Sequence, residues 1–247
     1  MKLTIIGSGD AFGSGGRFNT CLRIEALGRD FLLDCGASSL PALKAQGVDP
    51  NAIDGVMLSH LHGDHFGGVV FLVMDGHFLS RRTRPLLIAG PPGTRQRLDA
   101  ALEVFFPGST ANAWRYPWRV VEIAPGTPGD FLGCSVETLV VVHQSGAPST
   151  AVRISDGTRL LAYSGDTEWT DALIAAAAGA DLFIVECYEH ARAIPGHMSW
   201  AKLREKLPAL DARKIMVTHM NPSMLAKLDE VRAAGVLVAS DGMVLEL

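Results

Sequence analysis

Four side chains of metal-binding types fall within a six-residue segment that directly follows the apolar run 56–58. They are His60, His62, Asp64 and His65. In an extended segment, residues two apart point the same way, so His60 and His62 can bind one metal ion. A turn after His62 would present Asp64 and His65 to a second position. The spacing therefore predicts two adjacent cations.

Three further apolar runs each lead into a single residue of a metal-binding type, namely His143, Asp166 and His219. Loops at the ends of rigid strands are where mixed folds place active sites, because the scaffold holds the geometry that a metal requires. A lone His after a strand is more often structural, and Asp166 alone would fit a turn. The recurrence of one pattern favours a shared metal site.

A possible acid/base pair follows in the second half of the chain. The apolar run 182–185 ends in Glu186, and His197 comes eleven residues later, in a Gly-His-Met-Ser segment. A carboxylate beside an imidazole raises the pKa of the His and fixes its tautomer, which favours proton donation near neutral pH. The alternative is a solvated strand end and a His next to a helix start, and both interpretations stay open here.

The elements that position these residues follow from hydrophobic periodicity. Short apolar runs of strand length alternate with helical patterns, which is typical of a mixed α and β protein. We predict helices over 39–45, 67–78, 94–105, 171–178, 199–206 and 223–234, the last with Ser223 as N-cap. The Pro- and Gly-rich stretch 124–133 suits a connection between two half-domains. We expect one domain over 1–247.

Composition excludes several classes of protein. With 48% hydrophobic and 19% charged residues, the 247-residue chain is neither disordered nor fibrous. A net charge of −4 gives no general attraction to polyanions, and the one basic cluster, Arg81, Arg82 and Arg84, favours a solvated loop. Whether that loop contacts a substrate is left open by the sequence.

Targeting and cysteine patterns indicate a reducing, cytoplasmic setting. No apolar run approaches the roughly 20 residues that a bilayer crossing needs, and the N-terminus lacks the charged and apolar regions of a signal peptide. The four cysteines show no C-x-x-C spacing and favour core positions. They are Cys21, Cys35, Cys134 and Cys187.

The order H-x-H-x-D-H at 60–65, then His143, Asp166 and His219, resembles the metallo-β-lactamase superfamily of binuclear metallohydrolases. The segment 33–36 resembles the superfamily's early Asp-x-Gly motif, which supports the site from outside the ligand set. The resemblance covers nearly the whole chain and implies an α+β fold, a four-layer αββα sandwich. It also implies two ligand sets with Asp166 bridging them: His60, His62 and His143 for one metal, and Asp64, His65 and His219 for the other.

Within the superfamily, the segments 85–93, 185–186 and 196–199 resemble the ribonuclease Z-like phosphodiesterase branch. That likeness implies that Glu186 and His197 help to protonate the leaving group. Ribonuclease Z enzymes of the usual bacterial kind carry a long tRNA-gripping arm between the third His and the bridging Asp. His143 and Asp166 are too close in sequence for such an arm. This departure from the family pattern argues against tRNA and favours a small phosphodiester, such as a cyclic or nucleotide-derived one.

The predicted chemistry is hydrolysis by two divalent ions, with zinc favoured and manganese or iron left open. A hydroxide bridging two such ions is available near pH 7, because the pKa of water falls from about 15.7 toward about 7. Asp64 would also orient the nucleophile. The predicted partner is a small-molecule substrate, with no membrane, and the frequent dimers of the family allow a homodimer.

Two alternatives stay open from the sequence. Elsewhere in the superfamily, the same set of metal ligands supports hydrolysis of lactones, thioesters and β-lactams, and a lactonase would also keep Asp166. The third interpretation is an iron redox protein or a metal-binding module without catalysis. The resemblance argues against the diiron version, because those relatives replace the second His of the motif by Glu, and His62 is not replaced.

Overall fold

The computed structural model describes all 247 residues. Fourteen strands are present: β1 Lys2–Gly7, β2 Cys21–Ala26, β3 Arg29–Leu33, β4 Gly55–Met57, β5 Leu86–Gly90, β6 Trp118–Glu122, β7 Gly129–Phe131, β8 Cys134–Val140, β9 Thr150–Ser155, β10 Leu160–Tyr163, β11 Leu182–Glu186, β12 Ile215–Thr218, β13 Leu237–Val238 and β14 Val244–Glu246. The eight α-helices are α1 Ser39–Ala45, α2 Gly63–Phe66, α3 Gly68–Phe78, α4 Thr94–Phe105, α5 Ala172–Ala177, α6 Trp200–Lys206, α7 Pro222–Leu225 and α8 Leu228–Ala233.

The strands form two seven-stranded sheets. The first has the order β14-β1-β2-β3-β4-β5-β6, and the second has the order β13-β12-β11-β10-β9-β8-β7. Strands β3 to β6 pair in parallel, as do β10 to β13. The remaining neighbours, including β1 with β14 from the other end of the chain, pair antiparallel. The chain passes from the first sheet to the second between Glu122 and Gly129. The assignment of one domain to residues 1–247 stays a prediction.

Three hydrophobic clusters hold four layers together. The central cluster contains buried side chains from both sheets, such as Ile24 of β2 and Ile154 of β9, so the sheets pack face to face. On the outer face of the first sheet, Val73 of α3 and Leu98 of α4 pack in a second cluster. On the outer face of the second sheet, the third cluster includes Leu203 of α6. The predicted αββα sandwich is confirmed.

The prediction of one continuous C-terminal helix over 223–234 was wrong. Residues 222–233 form two short helices, α7 and α8, because Lys227 leaves the helical conformation between them. The N-cap is Asn221, whose side chain accepts a hydrogen bond from the amide of Met224, and Pro222 occupies the first helical position. Ser223 therefore lies inside the helix instead of capping it.

Two further expectations concern polar and sulfur side chains. All four cysteines are buried and free, as their predicted core positions require. Arg82 departs from the solvated loop: it is only 3% exposed, and its guanidinium donates to backbone carbonyls, including those of Ile53 and Pro85. None of the helices combines the length and the hydropathy that a membrane crossing needs.

Candidate metal centre

The seven predicted ligands meet at one edge of the sandwich. The first motif begins after β4, with His60 and His62 in the loop and Asp64 and His65 in the single turn of α2. His143 follows β8, Asp166 follows β10 and His219 follows β12. Because the second sheet faces the first, the loops after these three strands lie over the end of β4.

Asp166 lies at the centre of this group. Its Oδ2 atom is 3.3 Å from the Nε2 atom of His219 and 3.9 Å from the Nε2 atoms of His60 and His143. Its Oδ1 atom is 3.2 Å from Nε2 of His65. Ligand atoms around one tetrahedral zinc ion lie about 3.4 Å apart, given bonds of about 2.1 Å. Asp166 is therefore spaced as a group that can contact two ions.

Two sets of ligand atoms divide the space. His60, His62 and His143 form one set, and Asp64, His65, Asp166 and His219 form the other, with the atoms of each set within 4.8 Å of one another. In the first set, Nδ1 of His62 and Nε2 of His143 are 2.8 Å apart. The family resemblance implies the same two groups of three ligands with Asp166 between them, and that assignment stays a prediction. The ion held by each set stays a prediction.

On the first sheet, a hydrogen-bond chain orients two of the imidazoles. Asp34 accepts a hydrogen bond from Nδ1 of His65 at 2.7 Å and another from the hydroxyl of Ser59 at 2.7 Å. Because that hydroxyl donates to Asp34, it is free to accept from Nδ1 of His60, 3.0 Å away. With Nδ1 of each ring held in this way, His60 and His65 direct Nε2 to the ligand space.

On the second sheet, the same arrangement is built from other groups. Nδ1 of His143 donates to the carbonyl of Gly196 at 2.8 Å. Nδ1 of His219 lies 3.3 Å from the hydroxyl of Thr20, which itself donates to the carbonyl of Gly9. Both rings therefore also direct Nε2 toward Asp166. Four imidazoles converge through the same nitrogen, which is the arrangement expected of metal ligands.

The unpaired atoms of this edge fit a cation. Nε2 of His60, Nε2 of His65 and Oδ1 of Asp166 are buried and have no hydrogen-bond partner. Burial lowers the pKa of His60, as a neutral ligand requires. Burial would also lower the pKa of His65, but the facing carboxylates of Asp166 and Asp64 outweigh it and raise that pKa. The site thus favours positive charge, and divalent metal ions supply it.

Two features of the early Asp-x-Gly segment hold the first motif in place. Asp34 is fully buried and has a φ of 61°, a left-handed conformation that Asp tolerates better than most residues. A Cβ atom at Gly36 would lie 2.0 Å from the backbone oxygen of Asp64. Only glycine allows this approach, so Asp34 orients His65 while Gly36 admits the backbone of α2.

Glu186 and His197 lie in contact beside the centre. Nδ1 of His197 donates to Oε1 of Glu186, and Oε2 of Glu186 accepts from the amides of Thr167 and Met198, each at 3.0 Å. Burial and the nearby negative charge of Asp166 raise the pKa of Glu186. Burial opposes protonation of His197, but the bond to Glu186 raises its pKa overall. Glu186 therefore holds Nδ1 of His197, and Nε2 of His197 is not engaged by this pair.

Several residues at this edge were absent from the sequence-based prediction. Ser59, Thr20 and Gly196 each receive the Nδ1 proton of a ligand imidazole. The ring of Tyr188 packs against that of His197, with centroids 4.8 Å apart. Ser59 and Gly196 adjoin motif residues, which was a usable signal. Thr20 had none, because its contact with His219 depends on the meeting of the two sheets.

Comparisons with known proteins agree with this geometry. A family model described as "Anti-Pycsar protein Apyc1" matches residues 1–240. Ribonuclease Z of Mycobacterium sp. (strain KMS) is 27% identical over 250 residues, covering 96% of this chain and 82% of that protein. The metallo-β-lactamase fold protein YhfI from Bacillus subtilis is 25% identical, with a TM-score of 0.80 and coverage of 100% and 99% of the two chains. The short form of human tRNase Z has the same TM-score and coverage at 22% identity.

Proposed function

The chain belongs to the family described as anti-Pycsar protein Apyc1 and is a metal-dependent phosphodiesterase of the ribonuclease Z-like metallo-β-lactamase branch, and on that premise we propose that it hydrolyses a small phosphodiester. The observation that carries the proposal is the convergence of four imidazole Nε2 atoms on Asp166, with His197 beside them. A cyclic or nucleotide-derived diester is the class of substrate that we favour.

We propose that the site holds two divalent ions, zinc by preference. His60, His62 and His143 would hold one ion, Asp64, His65 and His219 would hold the other, and Asp166 would contact both. When bound, the ions would lower the pKa of water, so that hydroxide becomes available near neutral pH, and would neutralise charge that develops on the phosphoryl oxygens. The unpaired Nε2 atoms of His60 and His65 and the unpaired carboxylate oxygen of Asp166 support this occupancy.

The protein's own groups place the substrate and move one proton. Asp64, whose carboxylate lies 3.7 Å from Nε2 of His219, would orient the attacking oxygen. As the oxygen of water bonds to phosphorus, the ester P–O bond breaks and the departing alkoxide takes a proton from Nε2 of His197. One proton of the water stays with the phosphate product, and the other replaces the proton that His197 gave up. Glu186 positions His197 and stabilises its protonated form. The products are a phosphomonoester and an alcohol.

The test is hydrolysis of a chromogenic phosphodiester by metal-quantified protein, with a lactone and a β-lactam as reference substrates. We expect about two metal ions per chain and turnover of the diester alone. His197→Ala should slow an ester with a poor alkoxide leaving group far more than one with nitrophenolate, because only the former needs a proton. Turnover of the lactone instead of the diester would show that the metal centre hydrolyses lactones and would overturn the proposal.

A further inference from the structure

A further buried carboxylate, outside the metal centre, lies in the loop that carries His197. Glu189 is only 3% exposed, and none of the clusters of metal-binding side chains includes it. It comes three residues after Glu186, beyond the end of β11, and its carboxylate accepts four hydrogen bonds. Burying a carboxylate costs free energy unless its oxygens are paired, and here both oxygens are paired.

Two of the four donors belong to the loop after β11, and the other two lie at the start of α7. Oε1 of Glu189 accepts from the backbone amide of His190 at 3.0 Å and from the hydroxyl of Ser223. Oε2 accepts from the side-chain amide of Asn221 at 3.0 Å and from the guanidinium of Arg192 at 2.9 Å. Burial opposes ionisation of Glu189, but these bonds outweigh it and lower its pKa to about 2. The carboxylate is therefore charged near neutral pH.

The backbone of Glu189 pairs with the segment that directly follows His197. The amide of Glu189 donates to the carbonyl of Met198 at 3.3 Å, and its carbonyl accepts from the amide of Trp200 at 2.8 Å. The amide of Met198 donates in turn to Glu186, the partner of His197. A displacement of Glu189 would therefore displace His197.

The donors at the start of α7 connect this loop to a ligand candidate of the metal centre. Asn221 comes two residues after His219, and its backbone amide donates to the carbonyl of Tyr188 at 2.9 Å. The ring centroid of Tyr188 lies 4.8 Å from that of His197 and 6.1 Å from that of His219. The rings of His197 and His219 are nearly parallel, at 10°, with centroids 6.0 Å apart. Glu189 thus joins the loop of the proton donor to the loop of a ligand candidate.

We propose that Glu189 is a positioning residue, which holds His197 at a fixed distance from His219 so that the proton donor meets the departing oxygen. The inference rests on the proposed function, because it concerns the proton that His197 delivers. Proton transfer needs heavy atoms within hydrogen-bond reach, and a displacement of about 1 Å can cost about 100-fold in rate. Ser223, which the sequence suggested as a helix N-cap, serves this network.

Diesters with leaving groups of different acidity test the assignment. Glu189→Gln keeps the size of the side chain but has one acceptor oxygen where the carboxylate has two. We expect kcat/KM for a diester with a poor alkoxide leaving group to fall about 10–100-fold. For the nitrophenyl diester it should fall less than about threefold, because nitrophenolate departs without a proton. A purely structural role of Glu189 would lower both values equally and would overturn the proposal.

A double-mutant cycle shows whether the effect passes through His197. In a His197→Ala background, Glu189→Gln should change kcat/KM for the alkoxide ester by less than about twofold, because the group that it positions is absent. Full additivity of the two changes would contradict the proposal. Ser223→Ala removes a single donor and should give a smaller loss with the same dependence on leaving group, which decides the question if Glu189→Gln does not fold.

Asp181→Asn is the matched control. Asp181 also has a carboxylate that accepts from a backbone amide, that of Leu160 at 3.0 Å, and from a guanidinium, that of Arg159 at 3.1 Å. It lies directly before β11, at the end of the strand remote from the metal centre. This variant should leave both kcat/KM values unaltered. Thermal unfolding of each variant checks that it is folded.

The failures of the two proposals are distinguishable. If the wild type hydrolyses neither diester, or if His197→Ala slows both esters alike, the proposed function or its proton-transfer step fails, and the inference fails with it. If His197→Ala shows the dependence on leaving group and Glu189→Gln does not, only the positioning role is overturned. Metal content is measured alongside. A Glu189→Gln protein that loses metal and both activities together would also overturn that role, because Glu189 would then serve His219.

Discussion

Two buried polar regions, at opposite ends of β4, are built on opposite principles. Near the start of the strand, Arg82 uses all five of its N–H donors on backbone carbonyls, at 2.6–3.4 Å. After the end of the strand, Nε2 of His60 and of His65 and Oδ1 of Asp166 lie close together but have no hydrogen-bond partner. A cluster whose hydrogen-bonding groups are all paired stabilises the fold, whereas a cluster with unpaired groups is suited to bind a ligand.

The largest effect is expected from removing the central carboxylate. Asp166→Ala should lower kcat/KM by about two to three orders of magnitude or more, because one side chain faces both ligand sets. Chelation should lower the thermal midpoint of the wild type, since bound metal stabilises only the folded state, and should leave that of Asp166→Ala nearly unmoved. Asp211→Ala, an exposed aspartate, is the control. An active Asp166→Ala enzyme with full metal content would contradict the central role.

A substitution of Arg82, at the centre of the saturated region, should lower the stability of the protein but leave its activity unchanged. Arg82→Met is expected to lower the free energy of unfolding by about 3 kcal/mol, because several buried carbonyls lose their donors. Denaturant titration measures this, with exposed Arg81→Met as the neighbouring control. A kcat reduced tenfold in the folded fraction would show that the contrast between the two regions is wrong.

An intermediate effect is expected from changing Asp34, which orients the ligand candidate His65 through its Nδ1 atom. Asp34→Asn should weaken metal binding about 10–100-fold, because His65 loses the carboxylate that fixes its ring and tautomer. Competition with a chelator of known affinity measures the change. Asp54→Asn, a buried aspartate paired with Arg84 at the other end of β4, should leave metal affinity unaltered. Equal effects of the two variants would mean that Asp34 acts only through stability.

The smallest effect is expected from removing one long hydrogen bond, the one between Thr20 and the ligand candidate His219. Thr20→Val should reduce metal affinity by less than about tenfold, because the hydroxyl lies 3.3 Å from Nδ1 of His219, a long hydrogen bond. Thr20→Ser keeps the hydroxyl and should restore most of the loss. If serine fails to restore affinity while the protein remains folded, packing of the methyl group and not the hydrogen bond orients His219.

Much of this edge was predictable because its signals are local. The H-x-H-x-D-H motif fixes its own spacing, and His143, Asp166 and His219 each follow an apolar run that had to become a strand. Segments without a regular hydrophobic pattern were harder to predict from the sequence. The three-residue strand β7 lies inside the Gly- and Pro-rich stretch expected to be a connection, where its few residues show no clear alternation. Its pairing with β8 forms the strand.

The sequence by itself determined the ligand types, the alternation of strands and helices and the likeness to a metallohydrolase family, because each depends on residues close together in the chain. Only the tertiary structure decided which groups receive the Nδ1 protons and that Arg82 is buried. These features depend on pairs such as Thr20 with His219, and such pairs meet only when two sheets pack face to face.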